Sequence, residues 1–99
     1  MSTSKSNATT LAILSIRDTN GEVHQNGTTS DTSVTVAGRA EPGKKVEVRD
    51  GTIPKGTAPA NTAGDWLLVL SGLALGAHMI TASADGSVSA PRTFTVVQQ

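Results

Sequence analysis

Ninety-nine residues with eight Lys plus Arg, eight Asp plus Glu and no cysteine make one domain that stands on packing, without a disulfide framework, zinc cluster or thiol nucleophile. Zero formal net charge leaves no electrostatic footprint for nucleic acid or an anionic membrane, and one Trp, one Phe and no Tyr give no aromatic platform for bases or sugars. The longest apolar runs fall far short of the roughly 20 residues that span a bilayer, and residues 1–10, MSTSKSNATT, hold one lysine and no apolar stretch, so they read as a disordered lead or a boundary and not as a signal peptide.

The domain itself is expected over residues 11–97, with 98–99 as a tail. Leu11 to Ile16 (LAILSI) is a run of branched apolar residues that stops at the turn cluster Arg17-Asp18-Thr19-Asn20-Gly21, and it predicts a first strand. Residues 18–33 are polar, with Val23 as their one large apolar side chain, and are expected to be a long, partly paired surface connection, too polar for a core element. Ser33 to Ala40 alternates, with Val34, Val36, Gly38 and Ala40 on one face, and ends at Glu41-Pro42-Gly43, a turn in which Pro42 presets φ and Gly43 supplies a positive one.

Lys45 to Asp50 (KVEVRD) puts Val46 and Val48 inward and Lys45, Glu47 and Arg49 toward water. After Asp50-Gly51 the stretch 52–60 carries Pro54 and Pro59, which deny continuous ladder bonding and predict an edge strand. Gly64-Asp65 then leads into Trp66-Leu67-Leu68-Val69-Leu70, the densest apolar run of the chain. At period two, Trp66, Leu68 and Leu70 share the face on which the core is expected to assemble, and Leu67 and Val69 share the opposite one. Residues 73–80 come nearest to helical spacing, with Leu73, Ala74, Ala77 and Ile80, but Gly72 and Gly76 weaken it. His78 to Ala84 is expected to be a strand, and Val88 to Val97 is read as a last one holding Phe94 and Val96 on one face. About seven short antiparallel strands with turn signals every 8 to 12 residues predict an all-β sandwich.

The ordered series Val36-x-Gly38-x-Ala40-Glu41-Pro42-Gly43-x-x-Val46-x-Val48-x-Asp50-Gly51, Ala63-Gly64-Asp65-Trp66-x-Leu68-x-Leu70 and Leu73-x-x-Gly76-x-His78-x-Ile80-x-Ala82 resembles the bacterial Ig-like domains repeated in tandem in large surface adhesins and biofilm proteins. The resemblance implies an immunoglobulin-like Greek-key sandwich without a disulfide, serving as a structural spacer between neighbouring Ig-like domains of a larger, exported cell-surface or secreted protein. An alternative is a protein- or glycan-binding module of an adhesin, phage virion or secreted enzyme, using the 18–33 loop or the 52–62 edge. The chain departs from the family's acidic loop before the last strand, where it has only Ala84-Asp85-Gly86-Ser87, so calcium is not expected there. What remains as an oxygen cluster is Asp18, Asn20 and Glu22, to be weighed against a plain Asx turn.

Four residues are read as structural: Trp66, Gly43, Gly64 and His78. His78 follows Gly76 by two, where many Ig-like domains place a corner tyrosine, and it is expected to be a buried neutral imidazole making the backbone hydrogen bond in place of a phenol. His24 reads as a solvated loop residue. No serine or threonine sits in a nucleophile-elbow pattern, no glycine-rich loop opens a helix, and the acidic residues lie mostly in turns, so no catalysis is expected. Leu67 and Val69 stand where the family carries Ser or Thr, and mark a possible interface for weak association between copies.

Overall fold

The computed structural model describes residues 11–98, and its ten strands follow the alternation of the sequence. They are β1 (Ala12–Asp18), β2 (Gly21–Glu22), β3 (Gly27–Thr29), β4 (Val34–Arg39), β5 (Lys45–Asp50), β6 (Ile53–Pro59), β7 (Asp65–Leu70), β8 (Gly76–Ala84), β9 (Ser87–Val88) and β10 (Arg92–Val96). One sheet runs β2-β1-β4-β7 and the other β3-β10-β8-β5-β6, with β9 paired to β8. Ile16, Val34, Val36, Trp66 and Leu70 from the first sheet meet Val46, Val48, Ile80, Phe94 and Val96 from the second in one buried cluster. The fold is therefore all-β in two sheets facing across a core, as the period-two pattern requires. The assignment of residues 1–10 to a lead lies outside the described residues.

Three features differ from the expectation. The 18–33 segment, besides pairing through β2 with β1 and through β3 with β10, reaches the core, burying Val23 and Thr29. The β3–β10 pair is parallel, so the arrangement is not wholly antiparallel. Pairing of this kind draws on backbone N–H and C=O groups, which a polar segment carries as fully as an apolar one. The stretch read as one strand over 88–97 is two, β9 and β10. Pro91 has no N–H to give a ladder, and Ser89 occupies the break with its backbone N–H on the Ala82 carbonyl (2.7 Å) and its hydroxyl accepting from the Ala82 N–H (3.0 Å).

Around Trp66 the register is uninterrupted from Val34↔Leu70 to Arg39↔Asp65, which sets Gly38 directly opposite Trp66. A Cβ at Gly38 would stand 2.5 Å from the indole Cζ2 and 2.1 Å from the Ala12 carbonyl oxygen, so the ring lies on bare backbone that only glycine provides. Leu70 is buried with Trp66, whereas Leu68 is only partly covered. The turn before β7 is built by Asn61, whose side-chain oxygen accepts from the N–H groups of Ala63 (2.9 Å) and Asp65 (3.0 Å). Gly64 completes it at φ +85°, where an added Cβ would meet the Ala40 carbonyl oxygen at 2.6 Å.

Candidate functional site

His78 projects from β8 into the space between the sheets and is 9 % exposed. Its Nε2 donates to the Ala74 carbonyl at 2.7 Å, which is the backbone bond expected of it, and its ring stacks on Phe94 with centroids 5.4 Å apart. Its Nδ1 bonds the carboxylate of Asp50 at the end of β5, and the other oxygen of that carboxylate accepts the Met79 N–H at 3.2 Å. Both ring partners are oxygens: Nε2 carries the hydrogen that the Ala74 carbonyl accepts, and Nδ1 shares a hydrogen with the Asp50 carboxyl group. The sequence reading took Asp50 as a turn residue and did not connect it with His78; the two lie 28 positions apart. With both nitrogens engaged, the ring has no free atom to serve as a general base, and the group ties β5, β8 and the loop before β8 together.

Asp18 and Glu22 engage separate partners. Asp18 accepts the Asn20 N–H at 2.8 Å through one oxygen, closing an Asx turn, and the Thr29 hydroxyl at 2.5 Å through the other. Glu22 faces Arg92 at 3.9 Å. Beside them Asp31 accepts both the N–H and the hydroxyl of Thr19, each at 2.8 Å, and these two bonds hold its carboxyl below the usual carboxylate range. This end of the molecule is thus knitted by acids that cap N–H and O–H groups, and among the described residues no three His, Cys, Asp or Glu side chains form a metal-sized group.

The outward face of the first sheet is different in character. Leu67 and Val69 on β7 are 60 % and 59 % exposed, and Leu14 on β1 is 56 % exposed. Pairing aligns Ser15, Ala37 and Leu67 in one row across the sheet and Arg17, Thr35 and Val69 in the next. The register shift in β1 between Ile13 and Ser15 makes Leu14 the extra residue of a bulge and turns it outward. A shallow groove runs over Leu14, Ala37, Leu67 and Asp65; Asp65 is ion-paired with Arg39 at 3.1 Å. Parity, together with the resemblance that puts Ser or Thr at these positions, singles out Leu67 and Val69; Leu14 escapes that reading because a bulge breaks the alternation.

β7 is also an edge of its sheet. The Ala40 N–H donates to the Gly64 carbonyl at 2.8 Å, so with Arg39 opposite Asp65 the backbone groups of residues 64, 66, 68 and 70 point toward β4. Those of 65, 67 and 69 point away. At Asp65 both are taken by Asn61, the carbonyl through the Asn61 N–H at 2.9 Å and the N–H through its side chain. At Leu67 and Val69, two N–H and two C=O groups have no ladder partner among the described residues, since β4 is the only strand paired with β7 and β6 of the other sheet meets this edge through Gly56 against the Leu68 side chain.

Comparison of the chain with protein-family models, with curated proteins and with solved structures gives no match.

Proposed function

We propose that the chain is an immunoglobulin-like domain acting as a non-catalytic structural module of a larger bacterial surface or secreted protein. The path of the chain carries this reading. Ala12 pairs with Arg39, and Leu11 lies beside Ala40, Lys44 and Asp85, at one end of the sheets. Val96 pairs with Gly76, and the Val97 N–H donates to the Thr29 carbonyl, at the other end. A neighbour joined before Leu11 and one joined after Gln98 therefore sit at opposite ends, so that copies in series add length. Tension between them runs along the strands and loads the ladder bonds of β1 and β10 together, in shear.

The strand order supports the Ig-like assignment. Taking β1, β4, β7, β5, β8 and β10 as A, B, E, C, F and G gives the A-B-E and C-F-G sheets of an Ig sandwich, with β6 added beside C. The chemistry fits a passive role, because the His78 and Asp50 pair is committed to internal hydrogen bonds. Scattering from one, two and three copies fused in series is the test. Maximum dimension rising by about one domain length per copy is the expected result; copies that fold back into a compact cluster overturn the spacer reading.

A further inference from the structure

The four outermost strands of the two sheets are not protected alike. β2 has two residues and β3 has three, too short to template a partner. β6 carries Pro54, Lys55 and Pro59, and its pairing with β5 shifts register between Val48 and Arg49. Short length, proline, lysine and a bulge are the devices by which sheets prevent edge-to-edge pairing. β7 has none of them. It is six residues long and pairs in unbroken register, and Trp66 to Leu70 contains no charge, proline or glycine.

We infer that β7 is an association edge and that its occupant is a second copy of this chain, paired antiparallel through β7 about a two-fold axis at Leu68. This inference is independent of the spacer reading. The self-complementarity lies in the positions of the free groups. Leu67 and Val69 are two apart, so with the axis at Leu68 the N–H and C=O of Leu67 meet those of Val69 of the second copy, and the reverse pair does the same. All four free groups on each copy are then satisfied. On the outer face the exposed Leu67 of each copy comes beside the exposed Val69 of the other.

On the inner face the two Leu68 side chains meet across the axis, which completes the cover of a residue that is only partly buried in the single chain. Charge does not oppose the contact. The nearest acid on the strand, Asp65, is already paired with its own Arg39, and the two-fold axis places it opposite Ser71 of the second copy. An isologous contact of this kind closes at two and does not propagate. A peptide of different sequence would gain the same backbone bonds but not the Leu68 contact.

The test is sedimentation equilibrium of the whole chain up to about 1 mM, the weak end of specific association, combined with amide exchange by NMR. The expected result is a monomer–dimer equilibrium in which the Leu67 and Val69 amides gain protection with concentration, while those of Trp66, Leu68 and Leu70 are protected throughout. Val69→Pro removes one free N–H without touching the β4 ladder, and Val69→Lys keeps the backbone and sets two cations beside the axis. Each is expected to weaken the dimer at least tenfold, and Val69→Lys to keep the buried-Trp66 emission. The control Val88→Lys, at another exposed apolar position, leaves the dimer unchanged. A chain monomeric at every concentration, a dimer that survives both Val69 substitutions, or protection appearing away from Leu67 and Val69 overturns the inference.

Discussion

Replacing His78 with phenylalanine separates the two roles its position allows. Phenylalanine keeps the flat ring against Phe94 and fills the same space, so a side chain that only packs would lose nothing and gain some apolar burial. The hydrogen bonds give the opposite sign. The substitution leaves the Ala74 carbonyl without its donor and the Asp50 carboxylate with the Met79 N–H as its remaining partner. Bonds to charged groups contribute about 1.5–3 kcal/mol, and an acceptor left without its donor costs about 1–3 kcal/mol where it is shielded from water, less at Ala74, which is an exposed residue. The Asp50 side chain keeps 16 % of its surface in water, which offsets part of this, so the expected loss is about 2–4 kcal/mol. For a domain of this size that lowers Tm by on the order of 10–25 °C.

Urea titration read by Trp66 emission measures the loss, since the single tryptophan is buried and remote in sequence from the change. Asp50→Ala and the double variant complete a cycle, with an expected coupling of about 1.5–3 kcal/mol between the two side chains. His78→Phe within about 0.5 kcal/mol of the parent, or a coupling below that value, refutes the reasoning.

Trp66→Ala is expected to cost about 3–5 kcal/mol and to unfold much of the protein, whereas Trp66→Phe costs less. The indole Nε1 is the one buried side-chain polar atom without a partner among the described residues, and removing it relieves a desolvation cost of about 1–3 kcal/mol; far-ultraviolet dichroism under urea ranks the two. Gly38→Ala drives a methyl into the indole and the Ala12 carbonyl and is expected to cost at least about 2 kcal/mol. Gly64→Ala, which combines a positive φ with a backbone clash, is expected to cost more than Gly43→Ala, where φ is +81° but nothing lies within 4 Å of the added methyl; thermal melts of the pair give the order.

Acid should weaken the fold through Asp31. Its folded-state pKa is held below the unfolded value of 3.8 by Thr19, so its contribution is complete above the unfolded value and disappears as pH falls through the folded one. Stability titrated from pH 5 to 2 is expected to fall less steeply in Asp31→Asn, and an identical slope contradicts the assignment.

The sequence by itself determined the strands that carry the core. Val34, Val36, Val46, Val48, Trp66 and Leu70 declare their inward face by period two, because a strand turns alternate side chains to opposite sides whatever it pairs with. The turns at Glu41-Pro42-Gly43, Asp50-Gly51 and Asn61 to Gly64 were legible for a similar reason: φ is a property of the residue that adopts it. Leu67 and Val69 could be placed on the outer face in the same way.

Only the tertiary structure decided the rest. That Asp50 is the partner of His78, that Thr29 and Asp18 join β3 to β1, and that Leu14 bulges outward depend on which strands lie side by side. Side-chain hydropathy does not encode that choice. Nor does it show that β7 is a sheet edge with the backbone of Leu67 and Val69 unpaired, since every residue but proline carries the same N–H and C=O. Which of those groups find partners follows from strand order and register, and these are fixed by contacts between residues far apart along the chain.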